Sequence, residues 1–369
     1  MKLRALVMFL ALAAVAGALL WARPALSEGS PRTPPPLKPD DSLSDFASRL
    51  AVGAARRHEH LTLFLVTARG AAVPRVGLTL DQAVAKDLIE VTELKDSDVN
   101  RLRVESAAKG PVFAMAGEML RGGKQDRILA DDLVIPAGAE LVVPVFCVEH
   151  GRWSGAAGRG ERFSAGHSLA SAEVRGAGRA GQGAVWSRVE ESQAALRAPS
   201  ATGALRSVHD SEEVRQHMKP YLSALSDLPD EDPKACGVVA MVGDEMLAAD
   251  LFSSPSLFRE LWPDLLEAYV IDALEQAESD HPRAHSDQRR GRPDQQPVER
   301  WLSGLKRAER TSRDTPGAGT LYDVSARGFL GRALVWDRGV VHLEMFPAGP
   351  AEPDDPHRLD FRRDRLRGR

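Results

Sequence analysis

Two apolar segments between Gly117 and Trp153 constrain the fold of this chain more than any other feature. The run LVI from Leu133 leads through Pro136-Ala-Gly138, which is a turn signal, into the run LVVPVFCV. Apolar runs of this length, bounded by turn residues, are typical of buried strands. Polar residues gather at both ends of the pair, where a sheet can hold binding groups rigidly, although a solvated loop would contain the same residues.

The remaining patterns predict both strands and helices. LTLFLV from Leu61 and GVVAMVG from Gly237 are typical of buried strands, and the last two strands are predicted to form a hairpin around Arg338-Gly339. Helices are predicted near residues 184–197, 211–226 and 256–277. We therefore expect an α+β fold with a mixed or antiparallel sheet flanked by several helices, in a single main domain over residues 45–347.

The N-terminus has the pattern of an export signal. Lys2 and Arg4 precede a run without charged residues over residues 5–22, and Ala25-Leu26-Ser27 would suit a cleavage site. We expect a signal peptide over residues 1–27 and a periplasmic or extracellular protein. The alternative is a signal anchor that holds the protein to the membrane through residues 5–22, because this run is just long enough for a span.

Three further segments are predicted to lie outside the packed domain. A proline-rich linker is expected over residues 28–44, a disordered insertion at about residues 280–298, and a disordered Arg-rich tail over residues 348–369. Removing residues 1–27, which carry three basic residues and no acid, changes the net charge from −4 to −7. A net acidic chain argues against binding to a nucleic-acid polymer.

The chain has two cysteines, Cys147 and Cys236. An oxidising compartment would permit a disulfide between them. Each also lies in or beside an apolar run, so we expect two buried thiols that pack as small hydrophobic groups. Neither belongs to a C-x-x-C pair, and we predict no metal site.

Four donor side chains near the apolar pair suggest an anion site. Lys124, Gln125, Arg127 and Arg152 would together bind a carboxylate or phosphate, and Trp153 would stack on a base or sugar. The alternative is that these residues form ion pairs within loops.

Glu118 and Glu149 are the candidate catalytic acids, because each stands at the end of a predicted strand. Held among Lys and Arg side chains, either would have a lowered pKa and act as a general base. Their alternative role is structural, with Glu149 paired to Arg127 or Arg152.

Two other motifs are interpreted as structural. Gly176 to Gly181 matches G-x-G-x-x-G, but the dinucleotide motif needs a buried strand directly before it and none is predicted there. His342 lies in an apolar strand and is expected to be a hydrogen-bonded core histidine.

The central segment also resembles a known family. GEMLRGGKQDRIL from Gly117 and VIPAGAELVVPVFCVEHGRW from Val134 resemble the ADP-ribosylglycohydrolase and rhodanese-phosphatase-associated protein domain. Similar blocks follow at Gln182 (QGAVWSRV), at Gly237 (GVVAMVGDEMLAADLF) and at Val340 (VVHLEMF). The resemblance implies a context of ADP-ribose and nucleotide modification without naming an activity, and it adds Gln182 to the candidate ligand-binding residues.

Two functions are therefore predicted. The first is an exported domain that binds or processes an anionic ligand, which the resemblance suggests to be like ADP-ribose or a nucleotide. The second is a non-catalytic envelope module that binds another protein. Neither the cofactor, if there is one, nor the protein partner follows from the residues.

Overall fold

The large antiparallel sheet at the centre of the fold is built from strands at both ends of the chain. A computed structural model describes residues 39–94, 98–151, 162–278 and 293–348, all within one compact unit over residues 37–369. The sheet has eight strands in the order β1-β2-β12-β13-β17-β16-β15-β14, with antiparallel neighbours throughout. Their bounds are β1 (Leu50–His58), β2 (Leu61–Ala68), β12 (Ala235–Val242), β13 (Glu245–Phe252), β14 (Glu309–Arg313), β15 (Thr320–Ala326), β16 (Phe329–Trp336) and β17 (Gly339–Pro347).

The remaining strands form two smaller sheets. One has six strands in the order β11-β7-β8-β10-β5-β4, and the other has the order β3-β6-β9 with a parallel β3–β6 pair. Their bounds are β3 (Leu78–Thr79), β4 (Ile89–Glu93), β5 (Arg101–Ser106), β6 (Val112–Ala114), β7 (Glu118–Gly122), β8 (Arg127–Leu129), β9 (Leu133–Ile135), β10 (Glu140–Cys147) and β11 (Phe163–Leu169). The predicted apolar pair is thus β9 and β10, which lie in different sheets. Gly138, at φ +67°, forms the turn between them.

Eight α-helices flank the sheets within the described ranges, so the predicted α+β class is confirmed. They are α1 (Pro39–Arg49), α2 (Leu80–Ala85), α3 (Ala172–Ala177), α4 (Gln182–Ala195), α5 (Arg206–Asp210), α6 (Glu212–Leu225), α7 (Pro255–Glu278) and α8 (Gln296–Ser303). The three predicted helices correspond to α4, α6 and α7. Ser211 caps α6 by accepting a hydrogen bond from the Val214 N–H. Pro263 lies inside α7 without ending it.

Helix α1 takes in the last six residues of the predicted linker. Leu43 and Phe46 are buried on one face of this helix, so α1 packs as part of the domain. Helix α8 likewise begins within the predicted insertion, because Val298 and Leu302 are buried. The predicted signal segment, the tail beyond residue 348 and residues 279–292 lie outside the described residues.

The large sheet separates two apolar cores because successive side chains point to opposite faces. Val238 and Ala240 pack with Tyr269 of α7 on one face, whereas Val239 packs with Phe46 of α1 on the other. We call these faces the α7 face and the α1 face. Within the described ranges, no helix is long and apolar enough to span a membrane.

Candidate functional site

A row of charged residues crosses the large sheet. Strand register places Asp250 of β13 opposite Glu344 of β17, Glu344 opposite Arg332 of β16, and Arg332 opposite Asp323 of β15. Asp250 and Glu344 are almost completely buried. Buried charges are costly unless they are paired, so this charged row needs partners from the elements that cover it.

Asp250 is the centre of the charged row. Arg175 of α3 donates to both of its oxygens, at 2.8 and 2.9 Å, and the Tyr269 hydroxyl donates to one of them. Burial opposes ionisation, but the ion pair with Arg175 holds the pKa of Asp250 far below its usual value. Asp250 is therefore a carboxylate that fixes α3 to the sheet.

His342 connects Asp250 to a second acid. Its Nε2 lies 3.1 Å from Asp250 Oδ1, and its Nδ1 lies 2.8 Å from Asp132 Oδ2. Burial lowers the pKa of this imidazole, yet the two carboxylates outweigh burial and raise the pKa to about 10. His342 is therefore an imidazolium that donates from both nitrogens. The sequence predicts that His342 is a hydrogen-bonded core histidine, but it does not predict that the imidazole is charged.

The opposite end of the charged row is well paired. Asp131, from the turn before β9, accepts hydrogen bonds from Arg313 at 2.8 Å and from Arg332 at 2.6 Å. Arg332 also donates to the Ala130 carbonyl, and Asp323 lies 3.4 Å from both arginines. These two guanidinium groups thus have acidic partners on two sides.

Arg179 has fewer hydrogen-bond partners than Arg313 and Arg332. It follows α3, and its Nη2 donates to the Gly331 carbonyl at 2.9 Å. Its Nη1 is buried and has no hydrogen-bond partner among the residues that the structure describes. Burial lowers the pKa of Arg179, and the nearby Arg332 lowers it further. Arg179 is therefore a largely buried cation with a donor to spare.

Arg179 lines a cavity of about 480 Å³ beside the sheet. The walls come from α3, α4 and α7 and from the ends of β13, β16 and β17. Arg188 of α4 also lines this space, but Glu173 at 2.6 Å and Glu275 neutralise it. We call this space the Arg179 cavity.

Glu173, Asp272 and Glu275 bring carboxylate oxygens within 4.8 Å of one another, so they are the described acids best placed to hold a cation. Arg188 already provides the positive charge there. Asp272 accepts the Ala172 N–H at 2.7 Å and so caps α3 from α7. Burial and the neighbouring acids raise the pKa of Asp272. The trio thus holds α3 in place.

Glu118 lies at the start of β7, close to the charged row. Its side chain is buried, and Oε2 has no hydrogen-bond partner among the described residues. Burial, followed by the charges of Asp81 and Asp264, raises the pKa of Glu118 well above its usual value. The expected lowered pKa is therefore wrong for Glu118, because its nearest charged neighbours are acids.

Gly117 explains how this segment reaches the charged row. Its φ of +88° favours glycine, and a Cβ there would lie 2.5 Å from Cδ of Arg175. The side chain of Arg175 therefore passes directly over Gly117 on its way to Asp250. The predicted acid Glu118 follows Gly117 directly, as the first residue of β7.

The other predicted ligand residues lie near the far end of β7, in a second buried cluster. Arg127 is completely buried and donates to the carbonyls of Val99, Gln125 and Asp126. The Gln125 amide lies 3.5 Å from the His150 carbonyl. Most of the donor capacity of Arg127 is therefore used inside the fold.

Glu149 belongs to the same second cluster. It accepts hydrogen bonds from the Asp126 N–H at 3.1 Å and from the Thr202 hydroxyl at 2.7 Å, and Arg206 lies 3.8 Å away. Glu118 and Glu149 therefore have different neighbours. None of the three cavities characterised in the described chain is lined by either acid.

Four predicted ligand residues remain. The Lys124 backbone N–H donates to Glu93 at 3.0 Å, and its side chain is partly exposed. Gln182 donates to the Cys147 carbonyl and accepts from the Cys147 N–H, both at 2.8 Å. Arg152 and Trp153 lie outside the described residues. The roles assigned to all eight predicted site residues stay predictions.

The residues of the charged row and of the Arg179 cavity were missed, although a signal was present. Asp250 and Glu344 each interrupt an apolar strand, and Asp131-Asp132 directly follows β8. A charge inside a buried strand demands a partner, and the partner often marks a site. The G-x-G-x-x-G motif that contains Arg179 begins within the last two residues of α3, so it lacks the preceding strand that the dinucleotide motif needs.

Comparison with protein families identifies the chain. Residues 49–346 match the model of the ARG and Rhodanese-Phosphatase-superfamily-associated Protein domain, ARPP-1, and the chain belongs to this family. No curated protein and no solved structure gives a significant match.

Proposed function

We propose that this ARPP-1 domain binds a small organic anion in the Arg179 cavity, with Arg179 as the cation that recognises it. One observation carries the proposal: a largely buried guanidinium lines the cavity and has a donor without a partner among the described residues. Unsatisfied buried donors are rare in folded proteins and call for an explanation such as an absent ligand.

The electrostatics of the charged row support an anion. Arg313 and Arg332 have Asp131 and Asp323 as partners, whereas Arg179 has one backbone carbonyl. Nη1 is hidden from solvent, so a ligand would reach it through a small rotation of the side chain. The gain is a charge-assisted hydrogen bond to a donor that has no partner among the described residues.

The finer identity of the ligand is part of the proposal. The suggestion that the ligand resembles ADP-ribose or a nucleotide rests only on the family resemblance of the sequence. The cavity volume lies in the range of small-molecule sites, about 300–1,000 Å³.

A thermal-shift screen tests the proposal. We expect the melting temperature of the purified protein to rise with at least one anion among ADP-ribose, nucleotides, sugar phosphates and carboxylates. Arg179→Gln should abolish this rise. Arg215→Gln is the matched control, because Arg215 is half exposed and pairs with Glu212 within α6.

Two outcomes would refute anion binding at Arg179. The first is a ligand-induced rise that survives in Arg179→Gln. The second is the absence of a rise with every anion, which would favour the protein-interaction module. That alternative is supported by the internal partners of Arg127, Gln182 and Glu149.

Export is a separate proposal, which rests on the basic-then-apolar pattern of residues 1–27. A reporter enzyme that is active only in the periplasm, fused after residue 44, should become active in a bacterial host. A matched fusion that lacks residues 1–27 should remain inactive. Activity of both fusions, or of neither, would contradict export by this segment.

A further inference from the structure

We infer that the ligand of the Arg179 cavity is an amphipathic monoanion, in which one carboxylate-like group is attached to an apolar body, rather than a polyphosphate. This inference rests on the proposed function and narrows its ligand class. It follows from the distribution of charge and of apolar surface around the cavity.

The charge balance allows one anionic group. Of the two arginines that line the cavity, Arg188 is neutralised by Glu173 and Glu275 and has Glu191 at 3.8 Å. Glu344 and Asp323 also act on Arg179, but its Nη1 has no hydrogen-bond partner among the described residues, so Arg179 is the lining cation with a donor left for a ligand. A second or third negative charge on the ligand would meet Glu173, whose side chain is 39% exposed at the cavity wall.

Most of the rest of the wall is apolar, with Glu245 and Gln276 as its other polar residues. Met246 and Leu247 of β13, Leu330 of β16, and Phe346 and Pro347 of β17 line it. Leu330 is 41% exposed and is one of three large hydrophobic residues with this much exposure in the described chain. An exposed apolar surface beside a buried cation suits a ligand with a hydrophobic body.

Phe346 connects the apolar wall of the cavity to helix α3 and its arginine Arg175. The Arg175 guanidinium lies 5.5 Å from the centroid of its ring. A Cβ at Gly176 would lie 3.5 Å from the same ring, so α3 packs closely against it. The apolar wall is therefore held in place by the network that positions Arg179.

Isothermal titration of the purified protein with four probes tests the inference. Octanoate, below its micelle concentration, supplies both charge and apolar body; octanamide lacks the charge; inorganic phosphate lacks the body; and ADP-ribose carries a pyrophosphate. We expect octanoate to bind at least about ten-fold more tightly than each of the other three. Arg179→Gln should weaken octanoate binding about ten-fold or more by removing a charge-assisted hydrogen bond.

Leu330→Asn tests the contribution of the apolar wall to binding separately from that of Arg179, because this exposed position tolerates a polar side chain. It should weaken octanoate binding several-fold and leave phosphate binding unchanged. If ADP-ribose or phosphate binds most tightly and Arg179→Gln abolishes that binding, the proposed function stands and the ligand class is wrong. If no probe binds, or if Arg179→Gln changes nothing, both fail.

Discussion

The imidazolium of His342 gives the clearest quantitative prediction, because it links stability to pH in a defined window. The pKa of His342 is about 10 in the folded protein, against 6.5 for an ordinary histidine. A group whose pKa is raised on folding stabilises the folded state fully at pH values below its unfolded pKa. This stabilisation is lost as the pH rises through the folded pKa. For His342 that window extends from about pH 6.5 to pH 10.

The expected loss is about 1.36 kcal/mol for each pH unit inside this window. Between pH 7.5 and 9.5, the His342 contribution to the free energy of unfolding should therefore fall by about 2.7 kcal/mol. The full difference of pKa corresponds to about 5 kcal/mol, which is similar to the measured cost of breaking buried ion pairs, about 3–5 kcal/mol. The effect is large against a typical total stability of about 5–15 kcal/mol.

Urea unfolding followed by tryptophan fluorescence at pH 7.5, 8.5 and 9.5 measures this loss. Other groups also deprotonate in this range, so the quantity of interest is the wild-type slope minus the slope of His342→Gln. His217→Gln is the matched control because its side chain is exposed on α6, and it should keep the wild-type slope. Parallel pH profiles for wild type and His342→Gln would refute the reasoning. So would imidazole NMR shifts that show His342 neutral at pH 8.

Three further outcomes are expected. Gly117→Ala should destabilise by about 2 kcal/mol or more, because the methyl group would displace Arg175, whereas Gly138→Ala, with nothing within 4 Å, should cost about 1 kcal/mol in urea unfolding. Gln182→Ala should lower the free energy of unfolding by about 1–3 kcal/mol, because its two hydrogen bonds to the Cys147 backbone are lost. Unchanged stability would instead favour the predicted ligand-binding role of Gln182. The Cys147 thiol, whose pKa burial raises, should react with a thiol reagent only as fast as the protein unfolds; rapid reaction in buffer would show it to be accessible.

Local patterns were sufficient to predict the elements that carry the fold. The predicted strands at the apolar runs are present as β9, β10 and β12. The helices predicted from apolar periodicity are present as α6 and α7. The boundary at α1 was placed too late, because prolines ahead of Leu43 and Phe46 suggested a linker. Only packing against the α1 face shows that these two side chains are buried.

The candidate site depends on register and long-range contacts, which a single sequence does not contain. Asp250 is far in the chain from Arg332 and Glu344, and it meets them only because β13 pairs with the β16–β17 hairpin. Glu118 and Glu149 follow neighbouring strand patterns, yet the strands carry them to different partners. The unpaired Nη1 of Arg179 in the described chain likewise depends on which acids Arg313 and Arg332 take as partners, which no local pattern records.

The position of β17 has a consequence for the order of events during synthesis. Of the described strands it is the last in the chain, yet it lies between β13 and β16 near the middle of the large sheet. Until residue 347 has left the ribosome, β13 keeps an unpaired edge, and Asp250 lacks its imidazolium neighbour. The large sheet therefore cannot be completed until the last described strand has emerged, and until then the open central edge is a place where strands of other chains could pair.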